Sequence, residues 1–213
     1  RMIVHASAAI NAQKQSINEL NVFPVPDGDT GTNMSLTIGT AAAEAKKKPS
    51  RSIGQAASTN ASALLRGARG NSGVILSLLF RGVAKSLKEM DTADGVAFAA
   101  AASEAAAEDN RAEFVLEKAI AAGEVALADT INQNPVLQKA GVVDAGGKGF
   151  LIILQGMLDE MRGLPIPDGA EQAEPVKEKA DFAHLSDEEI TFTFDTVFIV
   201  RKNDPDVDLD PFR

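Results

Sequence analysis

The chain has no cysteine, tryptophan or tyrosine, and only two histidines in 213 residues. Lacking cysteine, it can form neither disulfides nor thiolate metal sites within itself. Its aromatic residues, 5% of the total, are all phenylalanine. No apolar run approaches the ~18 residues that read as a membrane span, and no signal-peptide pattern is present. The expectation is a cytoplasmic protein without stable membrane insertion. Basic charge is scarce as well: 21 Lys and Arg stand against 30 Asp and Glu, a formal net charge of −9. Nucleic-acid binding needs a basic face, so no nucleic-acid partner is expected. Familiar phosphate loops are missing. Gly147-Lys148 superficially suggests a Walker A loop, but the preceding glycine is misplaced and Gly149 occupies the Ser/Thr position. No GxGxxG occurs. His5 and His184 read as surface or packing residues, and no Ser–His–Asp set can be assembled.

What is abundant is alanine, within a composition that is 45% hydrophobic. Alanine is the best helix former, and small side chains let helices approach closely. The fold class expected is all-α: an antiparallel bundle or barrel of about eight amphipathic helices. Periodicity and capping signals place helices at residues 2–20, 34–48, 53–68, 74–87, 92–107, 113–129, 136–140 and 150–161. Residues 1–163 form the helical domain in this reading. Residues 164–187, rich in proline and acids, read as a linker. The alternating Thr, Phe, Val and Ile of 190–200 read as one β-strand. Residues 188–213 then look like the start of a middle domain cut short.

Three glycine-punctuated turns separate the helices: 24–31, 67–73 and 141–149. The first, Pro24-Val-Pro-Asp-Gly-Asp-Thr-Gly31, carries the chemistry. Its prolines fix φ and lack N–H donors, and its glycines allow backbone shapes closed to other residues. It holds two carboxylates, Asp27 and Asp29, which repel each other unless a cation lies between them. Hard oxygen donors of this kind suit Mg²⁺, which takes one or two carboxylates and leaves places for phosphate oxygens. A solvated Asp-rich turn is the alternative. Gly67-Ala-Arg-Gly-Asn-Ser-Gly73 offers close backbone approach at Gly70 and Gly73, polar side chains at Asn71 and Ser72, and charge at Arg69. A glycine C-cap followed by a polar N-cap is the alternative there. Loops at one end of an up-and-down bundle converge, and helix N-termini at that rim favour anions.

Together the stretches 20–34, 67–76 and 141–149 resemble the nucleotide-binding domain of bacterial fatty acid kinase. This domain type is shared with the ADP/ATP-binding subunit of dihydroxyacetone kinase. The resemblance covers residues 1 to about 163, and more weakly 188–200. It implies a helical barrel with ATP or ADP at one rim and two Mg²⁺ ions clamping the phosphates. By resemblance, Asp27 and Asp29 are catalytic metal ligands, and Asn21 aligns with a third ligand. Thr30, Asn33 and Ser72 contact phosphates, aided by Gly70, Asn71 and Gly73. Asp144 and Gly146 lie near the sugar or base. The implied reaction moves the ATP γ-phosphate to a fatty acid carboxylate, giving an acyl phosphate. The acid would come from a separate DegV-like fatty-acid-binding protein, and a homodimer would form through downstream domains. The alternatives are a dihydroxyacetone-type phosphotransferase subunit and a non-catalytic nucleotide-binding module. Two departures stand out. A Lys-Pro-Val-Glu-Gly-Thr segment, whose Thr lies near the adenine in such kinases, is missing between Ala107 and Glu108. Asp195 stands where the middle domain tends to carry a zinc-associated Cys, so no zinc is claimed.

Overall fold

A computed structural model describes residues 1–93 and 111–167. Among the described residues there are seven helices and no strand: α1 (Met2–Glu19), α2 (Thr30–Lys47), α3 (Ile53–Gly67), α4 (Gly70–Ser86), α5 (Ala112–Gln133), α6 (Pro135–Ala140) and α7 (Ala145–Met161). The all-α expectation therefore holds. The helix expected at 92–107 lies outside the described residues except for Thr92 and Ala93, which are not helical. The linker beyond residue 167 and the strand at 190–200 also lie outside them.

Local chemistry sets the helix ends. Ser52 accepts a hydrogen bond from Gln55 N and caps α3. Asn134 caps α6 by accepting from Val136 N at 2.9 Å, with Pro135 in the first turn where its missing N–H does no harm. Asp144 caps α7, its Oδ2 accepting from Gly147 N at 2.6 Å. Gly141 closes α6 at φ +66°, a left-handed conformation that glycine adopts without a Cβ clash.

The main correction to the sequence reading is shared by three helices. α2 starts at Thr30 rather than 34, α4 at Gly70 rather than 74, and α7 at Ala145 rather than 150. Each glycine-rich segment thus supplies the first helical turn and not only the turn before it. Packing is the reason. A Cβ on Gly31 would fall 2.9 Å from Ile17 Cβ and closer still to the Lys14 carbonyl. A Cβ on Gly149 would fall 2.7 Å from Met34 Sδ. Helix propensity disfavours glycine by about 1 kcal/mol, but only glycine admits these approaches.

Contacts along the helices fix their directions. Gly31, Thr32, Ser35 and Gly39 of α2 meet Ile17, Asn18, Asn11 and Ser7 of α1 in reverse order, so the two run antiparallel. α7 is antiparallel to α1 on its other side, where a Cβ on Gly156 would lie 2.8 Å from Ala6 Cα. α3 and α4 continue the layer beside α2, and α5 packs on α6 and α7. Ile10, Ile17, Ile38, Leu64, Leu76 and Ile153 lie at the centre of the core. His5 is buried there, as the packing reading expected, with Nδ1 3.5 Å from Glu160 Oε2. The N-termini of α2, α4 and α7 consequently share one end of the bundle. An apolar cavity of about 480 Å³ between Ile3, Ile53, Phe80 and Met157 lies toward the opposite end.

Candidate functional site

The loop between α1 and α2 is pinned from within. Asn21 is 3% exposed, and its Nδ2 donates to the Val25 carbonyl at 2.7 Å. Its Oδ1 accepts from Thr30 N at 3.0 Å and also from the Thr30 hydroxyl. Gly28, at φ +65°, turns the chain between the two aspartates. Asp29 is the N-cap residue of α2, yet its side chain makes no capping bond. Its carboxylate remains beside that of Asp27. Partial burial, followed by the neighbouring Asp29 charge, raises the Asp27 carboxyl above its ordinary value. The two carboxyls are close enough for the charge of one to act on the other. Such a raised value marks a pair whose ionised form lacks a counter-charge.

α2 then lays a polar stripe along the start of α4. Thr30, Asn33 and Thr37 recur at i, i+3 and i+7, one face of a helix. Ser72 Oγ lies 3.5 Å from Thr30 Oγ1. Gly70, at φ +56°, leaves the space that the Asn33 side chain occupies. Gly73 does the same for Thr37, whose hydroxyl accepts from Arg69 N at 3.1 Å and donates to the Asn33 carbonyl at 2.7 Å. Asn71 is exposed on the same turn. The first turns of α2 and α4 therefore stand side by side. The N–H groups of Thr30, Thr32 and Asn33 are already bonded to Asn21, Asn18 and Asp29, so it is the paired positive ends of the helix dipoles that favour an anion there.

The structure thus brings Asn21, Asp27, Asp29, Thr30, Asn33, Gly70, Asn71, Ser72 and Gly73 into one cluster. Asp144 and Gly146 sit at the start of α7, which joins α2 through Gly149 and Met34. The Asp144 carboxylate is engaged in capping, and its backbone N–H donates to Thr130 Oγ1 at 3.0 Å. Sequence reasoning missed Thr37 and Asn18. The i, i+3, i+7 spacing from Thr30 marks Thr37 only once α2 is known to start at Thr30 rather than 34. Nothing in the local pattern of α1 marks Asn18, whose partner lies fourteen residues away.

The donor set suits a hard divalent cation shared with phosphate. Among the described residues no group of three or more His, Cys, Asp or Glu is placed to hold a metal by itself. Two carboxylates next to a bed of N–H and hydroxyl donors fit an ion that completes its shell with phosphate oxygens.

Comparisons with known proteins identify the family. The DAK2 domain model matches residues 24–111 and 96–159. The chain is 37% identical to an uncharacterized protein of Staphylococcus haemolyticus, over 94% of this chain and 42% of that protein. It is 35% identical to an uncharacterized protein of Staphylococcus saprophyticus, over 100% of this chain and 45% of that one. It is 34% identical to Protein YloV of Bacillus subtilis, over 94% of this chain and 43% of YloV. The chain therefore spans less than half the length of these curated relatives. The matches run over 234 to 252 residues, more than the 213 of this chain, so the relatives carry residues that it lacks. No described helix is long and apolar enough to cross a membrane. A helical bundle, a paired-carboxylate loop and a matching family model make this chain a member of the DAK2 domain family, a dihydroxyacetone kinase-like nucleotide-binding module.

Proposed function

We infer that this chain is the ATP-binding kinase module of a fatty acid kinase. It moves the γ-phosphate of ATP to a fatty acid carboxylate, and the products are ADP and an acyl phosphate. The observation that carries the reading is the Asp27–Asp29 pair, held beside the N-termini of α2 and α4, with the Asp27 carboxyl raised first by partial burial and then by its neighbour. Bound Mg²⁺, one ion or two, would neutralise the charge that builds up on the phosphates during transfer. Asp27 and Asp29 hold it on the phosphate side. Asn21 fixes their loop through Val25 and Thr30. Thr30, Asn33, Ser72 and the N–H groups of residues 70–73 orient the phosphate chain. Asp144 and Gly146 border the sugar or base.

What the described part of the site lacks is compatible with a carboxylate acceptor, although a base could come from the separate substrate-binding protein. The described part of the cluster contains no histidine or lysine positioned to take a proton. A carboxylic acid, with a pKa of about 4.3, is already ionised at neutral pH and attacks without a base. An alcohol such as dihydroxyacetone needs its hydroxyl activated. A DegV-like protein presenting the acyl chain, in the cytoplasm, completes the reading, and downstream domains form the homodimer. The dihydroxyacetone reading is kept as the second because the family match itself points to that kinase type.

The test is a kinase assay on the full-length protein with Mg²⁺ and ATP, offering a fatty acid with its binding protein or dihydroxyacetone with its own binding subunit. Acyl phosphate formation supports the inference, and glycerone phosphate formation replaces it with the second reading. Asp27→Asn and Asp29→Asn are each expected to abolish activity while the helical circular-dichroism spectrum is retained. Wild-type turnover in both variants rejects the assigned role.

A further inference from the structure

Asp29 occupies the N-cap position of α2 but does not cap it. Aspartate is among the best N-caps, because its side chain accepts from the N–H two or three residues on. Here the donor three residues on, Thr32 N, is satisfied from another helix. Asn18, next to the last residue of α1, takes Thr32 N onto its Oδ1 at 3.0 Å. Its Nδ2 simultaneously donates to Thr32 Oγ1 at 2.9 Å. A backbone N–H only donates, so the Thr32 contact fixes which end of the Asn18 amide is oxygen. Thr32 is the third residue of α2, where an N-cap side chain normally bonds. Gly31 makes the arrangement feasible, since any side chain there would push α2 off α1.

We propose that Asn18 is a positioning residue: it caps α2 from α1 in place of Asp29, and so keeps the Asp29 carboxylate turned toward Asp27 and available to a divalent cation. What Asp29 does with the cation rests on the function inferred above. The capping exchange itself does not.

Two variants of the full chain test this, Asn18→Ala and Asn18→Asp. In a metal-free crystal structure of Asn18→Ala, the Asp29 carboxylate is expected within hydrogen-bond distance of the N–H of Gly31 or Thr32. Asn18→Asp still offers an oxygen to Thr32 N, so Asp29 is expected to stay beside Asp27. In calorimetric titrations with Mg²⁺ and ATP, Asn18→Ala is expected to lose about 10–100-fold in Mg²⁺ affinity, the range seen when residues that orient metal ligands are removed. Asn18→Asp is expected to bind at or above the wild-type affinity. An Asn18→Ala structure with Asp29 unmoved overturns the proposal. So does a variant that melts earlier but binds Mg²⁺ as tightly as wild type, because a purely structural role gives that result. If Asn18→Ala does not fold, Asn18→Asp decides: a tenfold loss of affinity there overturns the proposal. A wild-type protein that binds no Mg²⁺ ends the functional inference, while the crystal structures still decide the capping exchange.

Discussion

Asp27 ties the chemistry of the site to a measurable pH dependence. Its carboxyl is raised, first by partial burial and then by Asp29. Between the unfolded carboxylate value of about 3.9 and that raised value, the folded chain holds more protons than the unfolded one. Metal-free stability therefore falls as pH rises through this window. Asp27→Asn removes the penalty. It is expected to raise the melting temperature of the metal-free protein at neutral pH, with an advantage that fades as pH drops below the raised value. Mg²⁺ reverses the order by stabilising wild type and not the variant. Melting curves from pH 4 to 7.5, with and without Mg²⁺, read both effects, and a pH-independent difference would remove the charge-pair argument. Asp144 supports a different test. Its carboxylate caps α7, so Asp144→Ala is expected to lower stability by about 0.5–2 kcal/mol. Asp144→Ser keeps a capping oxygen and is expected to recover most of that. If Asp144→Ser recovers stability but not ATP affinity, the residue also contacts nucleotide.

Close helix approach depends on a few glycines, and Gly31 is the most demanding of them. A Cβ there meets the Lys14 carbonyl and the Ile17 side chain, both on α1. Gly31→Ala is expected to destabilise the chain by about 1–3 kcal/mol in urea unfolding, the usual range for overpacking. Because Asn18 and Asn21 must reach across the same seam, Mg²⁺ affinity should fall with it. Gly82, with open space around its Cβ position, is the control, and Gly82→Ala is expected to be neutral or stabilising. The same glycines explain what the sequence disclosed and what it hid. The helical class and the paired acids were legible, because alanine content, apolar periodicity and the Pro-Asp-Gly spacing are local signals. The starts of α2, α4 and α7 were not. Glycine in a first turn looks like a loop until the partner helix that requires it is known. Asn18 was hidden for the same reason: its role is set by Thr32, across the seam between two helices. Thr37 was hidden with the start of α2: its spacing from Thr30 is helical only when the helix begins at Thr30, and the fold alone shows Arg69 N against it.

At the scale of the whole molecule the proposed function divides the site into a phosphate side and a base side. The proposed phosphate side is built from the α1–α2 loop and the starts of α2 and α4, and contacts from Asn18, Asn21, Thr37 and Ser72 order it. The proposed base side comprises the start of α7 and, by the resemblance of the sequence, a segment this chain lacks between Ala107 and Glu108. The relatives are longer over the matched region, and the two stretches of family match meet at residues 96–111. Binding energy should divide in the same way. Inorganic triphosphate with Mg²⁺ uses only the phosphate side, whereas ATP uses both. Inserting a Lys-Pro-Val-Glu-Gly-Thr segment between Ala107 and Glu108 is therefore expected to strengthen ATP binding by about tenfold, the effect of roughly 1.4 kcal/mol, and to leave triphosphate binding unchanged. Competition calorimetry with the two ligands on the original and extended chains measures the split. Equal gains for both ligands would mean that the insertion acts by steadying α4 and α5, and would dissolve the division into two sides. No gain for either would put the base-side contacts elsewhere on the rim, with α7 and its Asp144–Gly147 cap as the remaining place for the adenine.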